Sequence, residues 1–408
     1  MLIASNQNLM GSAEHIILLT KLVTLINHES STLPVQSVIN TATLASLPAP
    51  ANQSIVTLLA YISNPSTPLP LLHATTSYLN ALLAPGGAIT QGDDFIQHFL
   101  TAVGAGGIGH AYRATVARGP VPALRSFGMM IVNVCSKYCS VLTSTSLPHP
   151  HNGFARTLFY EIAMSVQATP GNGVRCAGLE LWLDLNDIGE RDGTFKGPLY
   201  HELLKVLSST LAFPGPDSPD DVDEFLEYRR ACKDVLQECY RILRIAYLSH
   251  MSLLLASNMP DVIEAGLFCI TAVATDVCQR ARSKALTASI SEDKNKTTQW
   301  VVEVTKLIVG GGGMGGRCLG GMCRFLGTFS PVYGEVCADG DVFSLLDYLI
   351  SVVQVESAKS PTDDDDSDDE EEGALVKVAC SGIRSIFLNC TNKLTSATGT
   401  SAAIDEIR

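Results

Sequence analysis

The sequence has few aromatic residues and no long uninterrupted apolar segment. Phe, Trp and Tyr make up 6% of the 408 residues, so any core must be packed mostly by aliphatic side chains. Charged residues such as Lys21 and Asp276 interrupt the apolar stretches. A membrane-spanning helix needs about 20 consecutive, predominantly apolar residues. The sequence therefore predicts no membrane insertion.

The first residues also lack the basic segment and the small-residue cleavage site of a secretory signal. A reducing compartment is therefore expected, in which disulfides are rare. The 12 cysteines agree with this, because those such as Cys232, Cys269 and Cys390 fall within helical patterns rather than in a short disulfide framework. We interpret them as buried free thiols.

Candidate metal ligands are few and poorly spaced. Cys135 and Cys139 are separated by three residues, and Cys318 and Cys323 by four, whereas zinc sites use Cys-x-x-Cys pairs. His149-Pro-His151 lies in a Pro-rich turn without cysteine or aspartate neighbours. Solvated histidines and core thiols are the favoured interpretation, so no metal site is predicted.

Two glycine runs match the G-x-G-x-x-G pattern of dinucleotide-binding loops, at Gly104–Gly109 and Gly310–Gly316. Such a loop must follow a strand and precede a helix. Here a helical pattern precedes each run, and the second lacks the Gly-Lys-(Ser/Thr) ending of a phosphate loop. Both runs are interpreted as joints between helices, so no cofactor is expected.

No Ser-His-Asp or Cys-His arrangement has a recognisable local sequence setting. A catalytic arrangement of residues that are far apart in sequence and meet only in the folded protein stays open. The chain is predicted not to be an enzyme.

The net charge of -13 is concentrated in one run within residues 363–372. The acidic residues of this run are Asp363, Asp364, Asp365, Asp366, Asp368, Asp369, Glu370, Glu371 and Glu372. The rest of the chain is nearly balanced, which argues against a nucleic-acid surface.

Because the charges of this run repel one another, we expect an acidic disordered loop over residues 358–373. One interpretation is a solvated loop that adds solubility. The alternative is electrostatic contact with a basic partner.

Ser367, with acids on both sides, resembles an acidophilic-kinase substrate. Phosphorylation of Ser367 would add about -1.5 to -2 charge to the loop. An unmodified Ser367 in mass spectra of the native protein would contradict this prediction.

Two consecutive segments show the strongest helical patterns, Asp223–Ala246 and Pro260–Val277. In the first, a 3-4-3-4 spacing of apolar residues forms one stripe, and charged residues occupy the other side. The stripe consists of Phe225, Tyr228, Cys232, Val235, Cys239, Ile242 and Ala246. The second segment has almost no polar side and must lie buried between neighbours. Its start is marked by Pro260 and Asp261.

Similar patterns recur along the chain, with Pro-rich joints between them and few period-2 runs. The other predicted helices are Ser12–His28, Leu71–Leu83, Asp93–Val103, Ala123–Leu142, Phe154–Val166, Val174–Ile188, Leu199–Leu211, Trp300–Val309, Arg317–Phe329, Val342–Val353 and Leu375–Leu394. So many helices rarely form one bundle, whereas helical pairs with the HEAT or armadillo period of about 40–47 residues accommodate them. We predict an all-α fold, an α-solenoid of such pairs over residues 1–408, with a flexible tail at 395–408.

Four stretches in order resemble consecutive helices of the importin-β (karyopherin-β) superfamily, in the branch of transportin-SR and importin-thirteen. Gly178–Asp187 resembles the family's helix with a Phe-Trp-x-x-Leu pattern. Asp223–Arg230, running on to Asp234-Val-Leu, is similar to its acidic-Phe-x-x-(Phe/Tyr)-Arg…Asp-Leu helix. Val262–Phe268 looks like its Val-x-Glu-Ala-x-Leu-Phe segment. Val376–Leu394 resembles a later helix, with a changed register near its cysteine. The match covers residues 174–394 best.

This resemblance implies a nucleocytoplasmic transport receptor of the importin or exportin kind, present in both cytoplasm and nucleus. Such receptors bind protein cargo, the small GTPase Ran in its GTP form and the Phe-Gly repeats of nucleoporins. The chain resembles the central portion of a receptor only. The alternative is a HEAT-repeat scaffold or regulatory subunit unrelated to nuclear transport.

Overall fold

The structure, a computed structural model, describes residues 52–84, 89, 95–118, 122–143, 152–169, 171–188, 193–213, 222–283, 288–310, 317–358 and 369–398. These residues form 17 helices and no strand, which confirms the predicted all-α class for the part of the chain described. Contacts divide the chain into two compact units. Unit 1 contains residues 1–192 and 217–232, and unit 2 contains residues 193–216 and 233–408.

Unit 1 is built from seven helices and the first part of an eighth. They are α1 (Asn52–Ser63), α2 (Leu69–Leu83), α3 (Phe95–Gly104), α4 (Gly107–Val116), α5 (Pro122–Thr143), α6 (Asn152–Ala168), α7 (Asn172–Ile188) and the start of α9 (Val222–Leu243). Helices α2, α5 and α7 pack side by side as one layer, and α1, α3, α4 and α6 form the other. The core lies between the layers, where Phe99, Tyr112 and Phe127 are fully buried.

Unit 2 repeats this two-layer construction. Its helices are α8 (Gly193–Thr210), the remainder of α9, α10 (Ile245–Leu255), α11 (Pro260–Arg282), α12 (Ala288–Gly310), α13 (Arg317–Thr328), α14 (Ser330–Val336), α15 (Asp339–Ser357), α16 (Asp369–Asn389) and α17 (Thr391–Thr398). Helices α8, α11, α13 and α16 form one layer. Helices α10, α12, α14 and α15 form the second, and α10–α11 and α15–α16 pair across the layers.

The apolar stripe predicted for α9 is buried over most of its length. Phe225, Tyr228, Cys232, Val235 and Cys239 are at most 2% exposed. Ile242 is only partly buried and Ala246 is exposed, because the helix has ended by then. Helix α11 is covered on almost every side, and even Glu264 is buried. The predicted contrast between a half-exposed helix and a covered one is therefore confirmed.

Several predicted helix boundaries are wrong, among them the start of α12, which lies at Ala288 rather than Trp300. The helix expected over Asp223–Ala246 ends at Leu243, because Arg244 has a positive φ that no helix accepts. Helix α8 begins at Gly193, before Pro198, which removes one backbone hydrogen-bond donor without ending the helix. Helix α16 begins at Asp369 rather than Leu375. Negative charge is favoured in the first turn of a helix, so Asp369–Glu372 extend α16 into the segment expected to be a loop.

Five helices were not predicted: α1, α4, α10, α14 and α17. They are short, at 7 to 12 residues, and too brief to display a distinct apolar period. The predicted helix Ser12–His28 lies outside the described residues, as do residues 399–408 of the tail predicted at 395–408. Residues 395–398 of that predicted tail belong to α17, which extends to Thr398. Among the residues that are described, no helix is both long and apolar enough to cross a bilayer.

Candidate partner-binding sites

The acidic run predicted to contact a basic partner lies mostly outside the described residues, which omit 359–368 and with them Ser367. Only the backbone of Asp369–Glu372 is described, as the first turn of α16. The predicted contact of Asp363–Glu372 with a basic partner therefore stays a prediction.

The first glycine run joins two helices. Gly104 is the last residue of α3, Gly106 adopts a left-handed φ of 76°, and Gly107 begins α4. This left-handed glycine between helices is a common way to end a helix. Because a helix rather than a strand precedes the run, it does not have the geometry of a dinucleotide loop. In the second run, Gly310 ends α12 and residues 311–316 lie outside the described part of the chain.

The cysteines lie mainly in the core. The 11 cysteines that the structure describes are free, and nine of them are buried. Burial raises the pKa of Cys232 to about 12 and that of Cys323 to about 11. A thiol with such a pKa is almost entirely protonated near neutral pH and is a poor nucleophile. Within the described ranges, no group of three His, Cys, Asp or Glu side chains is placed to hold a metal ion.

An arginine-rich cluster surrounds the junction between α9 and α10. Arg244 links the two helices with φ 53° and ψ -115°, and it is the one non-glycine residue of the described chain with a positive φ. Its N–H donates to the Tyr240 carbonyl over 2.8 Å, which closes the last turn of α9. An L-residue adopts this backbone conformation only at a cost of about 1–3 kcal/mol. The conformation places the Arg244 guanidinium 5.9 Å from the centre of the Tyr240 ring.

Two further arginines complete this cluster. Arg280 of α11 donates from Nη2 to Oδ2 of Asp293 over 3.0 Å. Arg241 of α9 pairs with Glu238 and lies 3.4 Å, Nε to Oδ2, from Asp276. The Tyr240 side chain beneath them is 1% exposed and meets Tyr247 edge-to-face at 5.6 Å. We call the set Arg241, Arg244, Arg280 and Tyr240 the arginine cluster.

Burial dominates the electrostatics of the arginine cluster. It raises the pKa of Tyr240 to about 12, although the charges of Arg280 and Arg244 oppose this rise. It also lowers the pKa of Arg244, and the neighbouring positive charge of Arg280 adds to this effect. Three buried polar atoms of this region have no hydrogen-bond partner among the described residues, namely the Tyr240 hydroxyl, Arg280 Nε and Asp276 Oδ2. Buried polar groups rarely remain in this state.

The arginine cluster was not predicted from the sequence. The charged face of the first strong helical segment already contained Arg241 and Arg244. Arg280 comes from another helix, however, and the break at Arg244 has no sequence signal, because glycine or asparagine usually marks a positive φ. A charged helical face is usually solvated, so the half-buried state of Arg244 was not predictable.

A cavity of about 260 Å³ lies elsewhere in unit 2, between α12 and α15. Its lining includes Val302, Val309 and Leu345, with Lys306 and Asp341 among the polar residues. This volume lies just below the range of about 300–1,000 Å³ that is usual for small-molecule sites.

Comparison with known proteins supports the fold alone. No family model and no curated protein matches the chain. Among solved structures, importin-13 in its cytosolic state aligns with 85% of this chain at a TM-score of 0.64 and 12% identity. The Kap95:Nup1 complex aligns with 90% of this chain and 50% of its own at 10% identity, with a TM-score of 0.38.

The chain spans 40% of the length of the importin-13 chain it matches. At 12% identity, this likeness concerns the fold. The predicted α-solenoid class of paired helices is confirmed, because the described helices stack in pairs and the structure matched at a TM-score of 0.64 is a HEAT-repeat solenoid. The chain therefore has a helical-repeat fold like that of importin-13, which is the fold that the resemblance implied.

Proposed function

We propose that the protein is a non-enzymatic receptor of the nuclear-transport kind, present in both cytoplasm and nucleus. It binds protein cargo, Ran in the GTP form and the Phe-Gly repeats of nucleoporins. The observation that carries this proposal is the match to importin-13 over 85% of the chain. Stacked helical pairs present extended surfaces for protein partners, and each repeat contacts only its neighbours, so such an array can adapt to its partner.

Ran binding provides the test of this proposal. We expect the full-length protein to bind Ran loaded with a non-hydrolysable GTP analogue at least about tenfold more tightly than Ran-GDP, a difference of about 1.4 kcal/mol. Surface plasmon resonance with both forms of Ran measures this directly. Equal affinity for the two forms, or binding of neither, would contradict a transport role. It would favour the alternative, a helical-repeat scaffold or regulatory subunit outside transport.

The acidic run enters the same experiment as a proposed contact for a basic partner. A variant with Asp363–Asp366 changed to Asn removes four of the charges. If the run makes this contact, binding to Ran or to a basic cargo should weaken in the variant and depend less on salt, because screening acts on exposed charges. The same affinity and salt dependence in both proteins would support a solvated loop.

A further inference from the structure

The two layers of unit 2 carry opposite charge in their last helices. In the first layer, α13 contains two arginines and no acid, and the chain from residue 373 to 398 contains three basic residues and no acid. In the second layer, α15 contains four acids and no basic residue, and its Asp341 and Asp347 are exposed. The whole chain has 41 acidic and 28 basic residues, so its average composition does not account for a surface with basic residues alone.

Three exposed basic side chains lie together on α13 and α16. Lys377 and Arg384 of α16 are seven residues apart, which places them on one helical face about 10 Å apart along the axis. Arg324 comes from α13, which touches α16 so closely that a Cβ on Gly327 would lie 2.9 Å from Gly382 Cα. Arg324 is one turn from this contact and therefore lies beside the part of α16 between the other two. We call Arg324, Lys377 and Arg384 the basic face.

The basic face is not neutralised by acids within the described part of the chain. None of its three side chains forms an ion pair with a residue that the structure describes. The positions three and four residues before and after Lys377 and Arg384 hold no acid, so neither can pair along its own helix. The nearest acids in sequence, Asp369–Glu372, precede Lys377 by more than a turn. The three charges are therefore available to an anionic partner.

The spacing of the basic face favours a chain of negative charges over a single anion. Charges about 10 Å apart are too distant for one carboxylate or phosphate to bridge, whereas about three residues of extended peptide span that distance. Leu388, one turn after Arg384 on the same helical face, is 60% exposed. A peptide offers acidic and apolar side chains together, whereas a nucleic-acid backbone offers phosphates. The surface therefore fits an acidic protein segment.

We propose that the basic face of α13 and α16 binds an Asp- and Glu-rich segment of a partner protein. Complementary charge of this kind guides a partner to one surface and away from others. The exposed acids of α15 in the second layer repel the same segment, so unit 2 presents only one of its layers to it. The inference deepens the proposed function and rests on it in one respect, since a transport receptor has protein partners.

The test measures binding of a fluorescein-labelled hexaglutamate peptide to the full-length protein at low salt, by fluorescence anisotropy. When extended, this peptide spans about 20 Å and covers the basic face. Because the protein has a net charge of -13, general attraction does not favour the probe. We expect binding that hexaglutamine does not show and that weakens as salt is added. The combined change Arg324→Gln, Lys377→Gln and Arg384→Gln should weaken it about tenfold or more, and each single change about two- to threefold.

The matched control removes three exposed basic residues elsewhere. Arg113→Gln, Arg230→Gln and Lys233→Gln together change the net charge by the same amount and should leave peptide binding within about twofold of the parent protein. All six positions are exposed, so both triple variants should keep the Tm of the parent protein.

A charge-preserving variant separates loss of the basic face from loss of folding. Arg324→Lys combined with Arg384→Lys keeps both charges, so it should bind hexaglutamate within about twofold of the parent protein. Loss of binding by this variant would overturn the proposal, because positive charge would then not account for the binding.

Four other outcomes would also overturn the proposal. They are no binding of hexaglutamate, equal weakening by the two triple variants, tighter binding of a single-stranded oligonucleotide to the basic face, and peptide binding that appears only after Asp363–Asp366 are changed to Asn. The last outcome would assign the face to the acidic run of the chain itself.

The Ran experiment is independent of this one. Peptide binding that depends on the basic face, without Ran-GTP selectivity, would remove the transport role and keep the binding surface. Ran-GTP selectivity without peptide binding would keep the transport role and remove the binding surface.

Discussion

Replacing Val235 with Asp is expected to destabilise unit 2 by roughly 4 kcal/mol or more, which is the scale for an unpaired charge placed in a core. Val235 lies in the middle of the α9 stripe and is 0% exposed. Its neighbours in that stripe, Cys232 and Cys239, are equally buried and offer the new carboxylate no cation. Thermal unfolding followed by circular dichroism should show a lower Tm, or loss of the cooperative transition for part of the helical signal.

The matched control for this substitution is Ala231→Asp. Ala231 lies one helical turn before Val235 and is exposed, so the same carboxylate remains in water there. Surface substitutions of this type usually change stability by less than about 0.5 kcal/mol. A Tm of Val235→Asp equal to that of Ala231→Asp would show that the stripe of α9 does not pack inward, and the assignment of its buried face would fail.

Replacing Gly334 with Ala is expected to cost about 2–3 kcal/mol, because the added methyl group has no space. A Cβ at Gly334 would lie closer to the backbone oxygen of Asn389 than non-bonded atoms can approach. That oxygen belongs to the end of α16 and cannot rotate away as a side chain can. Asn389 also donates from Nδ2 to Ser330 Oγ over 2.9 Å, so the displacement would strain a second contact between α14 and α16.

Gly340→Ala serves as the control for the change at Gly334. A Cβ at Gly340 meets no atom within 4 Å, and the residue lies at the start of α15. Alanine is a better helix former than glycine by about 1 kcal/mol in a helix interior, so unchanged or slightly higher stability is expected. Urea denaturation of both variants provides the measurement. Equal midpoints for Gly334→Ala and Gly340→Ala would contradict the close approach of α14 to α16.

The pattern of α9 shows how much of this fold local sequence specifies. Apolar residues spaced three and four apart place one face of any helix against its neighbours, and Phe225 to Cys239 are buried as that rule requires. The burial of helix α11 could likewise be predicted without tertiary information, since a helix without a polar side must be covered by its neighbours. The order of these helices also carried the family resemblance and, with it, the fold.

The arginine cluster shows where sequence reasoning stopped. The spacing of Arg241 and Arg244 says only that both lie on a charged face, and that face would normally be hydrated. Their environment depends on Arg280 and Asp276 of α11 and on Asp293 of α12, which approach only after the helices have packed. The break at Arg244 is equally non-local, because arginine has no intrinsic preference for a positive φ.

The sequence by itself determined the helical class, the buried faces of the principal helices and the place of the acidic run, because each depends on residues close together in the chain. Tertiary structure decided where α9 ends, which glycines touch another backbone and which charged groups share a half-buried site. These features depend on distances between residues far apart in sequence, and the helical period contains no information about such distances.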